Sequence, residues 1–139
     1  MIDLMPWEKC TSEFIREISV DKEKIASLKE MADARMKLVK QFTVTNVNIS
    51  FIIEGYYEVI KELLTAFLLK NGLRSKNHQC LFAYFYKRFP EYEGEVHLIT
   101  QLCFLRNRLE YYGEAIPPAF YDKNKEEIIK VIKLLFELI

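Results

Sequence analysis

The residues best suited to chemistry in this chain are Arg106-Asn107-Arg108, followed by Tyr111-Tyr112-Gly113. Leu102 and Leu109 stand one helical turn either side of Arg106, so at about 100° per residue all three share one apolar face. A guanidinium keeps its charge and is costly to bury alone, so Arg106 must reach an anion, a hydrogen-bonding partner or water. Bidentate contact with phosphate oxygens is the chemistry such an arginine performs well. Arg108 and Arg106 are the phosphate-binding candidates. Asn107 can orient a phosphate oxygen or hold Arg106, and Tyr111 or Tyr112 can donate a hydrogen bond or stack on a base. The rival use is structural. Arg106 then pairs with Glu54 or Glu58, Asn107 satisfies backbone groups near the helix end, and the tyrosines cap the core.

The two histidines are not placed beside this cluster by spacing. His97 lies nine residues before Arg106, about 180° round the same helix. His78 opens a different helix, where a helix N-terminus disfavours its cationic form, and a structural role is the preferred reading. They are too far apart to serve as zinc ligands without an acidic or thiol partner one turn away. Three cysteines, Cys10, Cys80 and Cys103, form no C-x-x-C pair and read as buried free thiols in a reducing cytosol. No metal or cofactor is expected.

Five helices must position these groups. Residues 21–42 carry Ile25, Leu28, Ala32, Val39 and Phe42 at helical spacing, with Arg35 in the same apolar seam as a side chain expected to snorkel to water. Thr45-x-x-Asn48 caps a long helix over 47–70, apolar over more than half its circumference and therefore central, with Glu54, Glu58, Lys61, Glu62 and Thr65 as one narrow polar stripe. Gly55 inside it costs about 1 kcal/mol relative to Ala and marks a close helix crossing. After the polar connector Arg74-Ser75-Lys76-Asn77, a third helix spans 78–89 and stops at Pro90, and a fourth spans 95–112 with Gly113 beyond its end. Residues 114–121 read as a loop stiffened by Pro117-Pro118, and Asp122 as the cap of a last helix. Residues 1–20 form a lid with a short helix. No strand alternation is visible. The expectation is a single all-α domain over 1–139: an up-and-down antiparallel four-helix bundle over 21–139 with one or two additional short helices.

Bulk properties agree. The chain has 139 residues, half of them apolar, and twenty basic residues balance twenty acidic ones. One core without staples is expected, and any nucleic-acid contact must come from a local patch. Asp3, Glu8 and Lys9 interrupt any signal-peptide run, and no apolar stretch suffices for a membrane span, so a cytoplasmic, non-membrane protein is expected. Surplus apolar surface on the central and last helices suggests a homodimer; a thick core under the N-terminal lid is the alternative.

Gly55-Tyr56-Tyr57-Glu58-Val59-Ile60-Lys61-Glu62-Leu63-Leu64 and its continuation to Gly72, with Ser75-Lys76-Asn77-His78-Gln79 and Leu105-Arg106-Asn107-Arg108-Leu109-Glu110-Tyr111-Tyr112-Gly113, resemble the HEPN family (higher eukaryotes and prokaryotes nucleotide-binding domain). The resemblance covers residues 21–139. It implies a dimeric helical bundle whose two Arg motifs meet across a cleft, and in many members metal-independent RNA cleavage. It also implies a toxin role beside a minimal nucleotidyltransferase that neutralises it. Arg106 matches the motif arginine and Asn107 the polar residue after it. The motif histidine should stand at Tyr111, Tyr112 or Gly113, and it is absent. Histidine suits proton transfer at neutral pH, whereas tyrosine near 10 leaves roughly 0.1% phenolate at pH 7. With catalytic candidates Arg106, Asn107, Tyr111 and Tyr112, the resemblance therefore implies RNA or nucleotide-phosphate binding with a degenerate ribonuclease motif. The alternative is a non-catalytic dimer that binds a minimal nucleotidyltransferase.

Overall fold

Capping signals in the sequence set the helix ends in the computed structural model, which describes residues 3–139 and is mostly helical. A short α1 (Trp7–Lys9) runs into a π-helical turn (Cys10–Phe14) and strand β1 (Ile15–Glu17). Then come α2 (Lys22–Lys40), α3 (Ile49–Lys70), strand β2 (Leu73–Ser75), α4 (His78–Arg88), a 3-10 turn (Pro90–Tyr92), α5 (Glu93–Tyr112) and α6 (Pro118–Leu138). Asp21 caps α2 by accepting from the Lys24 N–H at 3.1 Å. Thr45 and Asn48 hold each other reciprocally ahead of α3, at 2.8 and 3.3 Å. Gly113 ends α5 with φ at +65°, the left-handed turn that glycine adopts without strain. The last helix starts at Pro118 rather than at Asp122, because a proline at the first helical position has its φ already set and no N–H to lose.

Helix α3 is the axis, in contact with α2, α4, α5, α6 and β2. Fourteen of its 22 residues are buried. Its polar stripe is not a wet face. Glu62 pairs with Arg35 of α2 at 2.6 Å, so Arg35, its side chain still 40% exposed, also ties two helices together. Glu58 faces α5 and pairs with Arg106. The order of these contacts makes α2 and α5 antiparallel to α3. Where α2 crosses, a Cβ on Gly55 would stand 2.6 Å from Val39 Cγ2, so the glycine permits the approach.

Three further expectations are corrected. First, Ile15–Glu17 and Leu73–Ser75 pair as an antiparallel ribbon, so the lid and the polar connector contain strands. Second, Cys10 and Cys80 form a disulfide, leaving only Cys103 as a free thiol among the described residues. The bridge closes a 70-residue separation and removes unfolded-chain entropy worth on the order of 4 kcal/mol. It fastens the N-terminal segment to α4, where Trp7 also packs on Tyr84 at 5.5 Å. Third, α3 and α6 are largely covered. The exposed apolar side chains include Leu38, Phe42, Val44, Val47 and Phe51 at the α2–α3 corner, Phe51 being the one on α3. Others are Met31 on α2, Phe14 and Val20 in the N-terminal segment, and Phe104, Tyr111 and Tyr112 on α5. Within residues 3–139 no helix is long and apolar enough to cross a membrane.

Gly55→Ala is expected to lower stability by about 1–3 kcal/mol through overpacking against the stiff Val39, despite alanine's better helix propensity. Denaturant unfolding measures it. Gly55→Ala combined with Val39→Ala should recover most of the loss, and a neutral single variant would contradict the close crossing.

Candidate functional site

The apolar face that Leu102 and Leu109 give α5 turns Arg106 toward α3. Its side chain is only 19% exposed, and its guanidinium lies 5.8 Å above the Tyr57 ring. One nitrogen, Nη2, donates to Glu58 Oε1 at 3.4 Å, and Nη1 donates to Asn107 Oδ1 at 3.3 Å. Both contacts are at the long end for hydrogen bonds. Nε is buried without a partner. Glu58 is held more closely by Lys61, at 2.7 Å. The carboxylate that neutralises Arg106 is thus shared, and the guanidinium's donor capacity is not used up.

His78, whose spacing favours a structural role, lines the same cavity as Arg106. Asn77 caps α4 by accepting from the Cys80 N–H, which sets the first turn of α4 beside α5. There a cavity of about 320 Å³ is lined by Asn77, His78, Gln79, Arg106, Asn107 and Tyr111, among others. His78 Nδ1 is hydrogen-bonded to the Tyr57 hydroxyl at 2.8 Å. Burial, with Lys61 and Arg106 close by, pushes the His78 imidazole below its usual range, so it is neutral at pH 7. Burial also pushes the Tyr57 phenol up, and it remains protonated. A neutral imidazole fixed at Nδ1 and a loosely held cation on the facing helix can together take a proton and stabilise negative charge. The signal that His78 belongs here is its position directly after the cap Asn77. Nothing in linear spacing connects that cap to Arg106.

Among the expected site residues, Arg106, Asn107 and Tyr111 come together. Arg108 does not join them: it pairs with Glu114, and its guanidinium lies 5.2 Å from the Tyr112 ring, directed away from the cavity. Tyr112 is 70% exposed and stacks there rather than capping the core. His97 lines a separate surface depression with Gln101 and Asn124, as its helical angle requires. Asn107 Nδ2 contacts the buried Cys103 sulfur at 3.7 Å. Among the described residues no group of three or more His, Cys, Asp and Glu side chains is arranged to hold a metal ion. The chain matches no family model, no curated relative and no solved structure.

Beside Arg106, Glu54 is held up to about 7 by a hydrogen bond with Glu110, by burial and by the Glu110 charge, with Arg106 opposing. Its folded value lies above its unfolded one, so the stability it contributes is complete below about pH 4.5 and is lost as pH rises through 7. His78 has the opposite sign, and its contribution is complete above about 6.5. Between pH 6.5 and 8 the unfolding midpoint is therefore expected to fall in the parent. Glu54→Gln, whose amide donates at every pH, should flatten that fall, and an equal fall in both proteins would contradict the shared proton.

Proposed function

We propose that this protein is a HEPN-type RNA-binding protein. Its cavity takes a phosphodiester between Arg106 and His78, and His78 supplies the base that the Arg106-Asn107 motif lacks. The observation that carries the reading is His78 lining one cavity with Arg106 and Asn107, neutral and oriented by Tyr57. We take the tautomer in which Nδ1–H donates to the phenol oxygen; Nε2 is then a free lone pair and takes the proton of a ribose 2′-OH. The 2′-oxygen then bonds to phosphorus and the bond from phosphorus to the 5′-oxygen breaks. Arg106 stabilises the phosphorane charge, and the departing oxygen takes a proton from water. A 2′,3′-cyclic phosphate results. Tyr111 stands at the rim, placed to stack on a base.

The toxin role and a neutralising minimal nucleotidyltransferase follow from the family resemblance alone and belong to the same proposal. So does a cytoplasmic location. A reducing cytosol disfavours disulfides, but Cys10 and Cys80 are both fully buried, which slows attack by outside thiols.

The test is incubation of a mixed single-stranded RNA pool with the protein at pH 7 in chelator. Cleavage leaving 2′,3′-cyclic phosphate ends is expected. His78→Gln should lower its rate about 10²–10⁴-fold, and Arg106→Ala about 10²–10³-fold. RNA left intact, while nucleotides bind through Arg106, would reduce the protein to the binding module. Neither cleavage nor binding would refute the site.

A second copy of the chain is the partner the exposed apolar residues favour. Ile116 N–H donates to Ser50 Oγ at 2.8 Å, which puts the start of α3 and the segment after α5 at one end of the bundle. Val47 and Phe51, 84% and 62% exposed, therefore share that end with Tyr111 and Tyr112. Association there brings the two Arg106 cavities toward each other, as the resemblance implies. Sedimentation should give a dimer, and Val47→Lys with Phe51→Lys a folded monomer. A monomeric parent at micromolar concentration would contradict it.

A further inference from the structure

Arg16 on β1 and Arg74 on β2 stand directly opposite each other in the ribbon. Like charges in that relation repel, so the fold is not served by the choice. The chain has six arginines, and the other four all have side-chain partners. Arg35, Arg106 and Arg108 pair with carboxylates, and Arg88 donates to Asn71 and the Tyr84 hydroxyl. Among the described residues Arg16 and Arg74 have no such partner. Both are exposed, as is the neighbouring Lys76. They line a concave cavity of about 250 Å³ with Glu13, Phe14 and Asn77. Glu13 is the one carboxylate on that surface, against three cations. Phe14 is a partly exposed ring on the same wall.

This cavity borders the His78–Arg106 cavity, since Lys76 and Asn77 line both. Its volume is below that of pockets enclosing a whole small ligand, and suits one unit of a longer chain. We propose that the ribbon binds the sugar-phosphate backbone of single-stranded RNA as it leaves the His78–Arg106 cavity. Arg16, Arg74 and Lys76 contact phosphates, and Phe14 offers a face on which a base stacks. The inference rests on the reading of that cavity as an RNA site, and names the surface that holds the flanking nucleotides. A lipid surface is disfavoured by the geometry, since the cations line a concavity and not a flat or convex face. The disulfide anchors the segment that leads into the ribbon, since Cys10 opens the π-helical turn before β1 and is bonded to Cys80 of α4.

The probe is a 2′-O-methyl oligouridylate of about twelve nucleotides, which cannot be cleaved through its own 2′-oxygen. A 2′-O-methyl dinucleotide, short enough to occupy only the His78–Arg106 cavity, is run beside it. Arg16→Gln with Arg74→Gln should weaken the long probe about tenfold at low salt and make the salt slope shallower by about 1.4, for two phosphates at about 0.7 each. The dinucleotide's affinity should not change, and the unfolding midpoint should stay level or rise as the repulsion is relieved.

An unchanged affinity and slope for the long probe, with Arg106→Ala still weakening both probes, would overturn the ribbon and leave the cavity reading intact. Loss of binding in the ribbon variant with none in Arg106→Ala would refute the cavity reading and uphold the ribbon. A lowered unfolding midpoint would show that the two arginines serve the fold, and would overturn the inference. Parent protein that binds phosphatidylserine vesicles through Arg16 and Arg74 but no RNA would do so as well.

Discussion

Helix α3 carries its charges inward. Glu54, Glu58, Lys61 and Glu62 stand on a helix that the other elements surround, where an uncompensated charge is expensive. Each charge must therefore recruit a partner from a neighbouring helix or from its own next turn. Glu62 takes Arg35 of α2, Glu58 takes Lys61 and Arg106 of α5, and Glu54 shares a proton with Glu110. The pairs align α2 and α5 against α3 alongside the apolar packing. Their individual worth is modest at this degree of exposure, and specificity of alignment is the larger effect.

The candidate site is a by-product of that arrangement. Because Lys61 already holds Glu58 at 2.7 Å, Arg106 is left with a 3.4 Å contact and a buried Nε without a partner. Burial, and after it the same two cations, push the nearby His78 imidazole below its usual range. One charge network thus yields both a cation with spare donors and an imidazole able to accept a proton. The α4 cap at Asn77 and the Tyr57 hydroxyl fix the imidazole's position. Beside that cavity, the surface cations Arg16 and Arg74 line a neighbouring one, so positive charge gathers locally on a molecule with no net charge.

Much of this was legible in the chain. The Thr45–Asn48 cap, the helix end at Gly113, the central helix, the close crossing at Gly55 and a Glu54 or Glu58 partner for Arg106 follow from periodicity and from the cost of burying charge. The last helix, by contrast, starts at Pro118 and not after Asp122. The i, i+4 spacing of the α3 stripe shows which residues share a face, not which neighbour each one meets. The ribbon escaped because each strand is three residues long and its partner is remote, so neither alternation nor local propensity could announce it. Cys10 and Cys80, 70 residues apart, carry no motif, and composition alone favoured free thiols. His78 was read from its own helix. Its meeting with Arg106 depends on how α4 turns off β2, which is decided by tertiary packing.

The claim on which the account turns is that the Arg106 charge can be given to a phosphate. Nitrogen-15 NMR of the guanidinium Nε and the histidine ring, during titration with uridine 3′-monophosphate, tests it most directly. The account requires the Arg106 Nε and His78 ring signals to shift together with one saturation curve. Signals that stay fixed at saturating nucleotide would mean that Glu58 holds the guanidinium for good, and that the site is a structural cross-link.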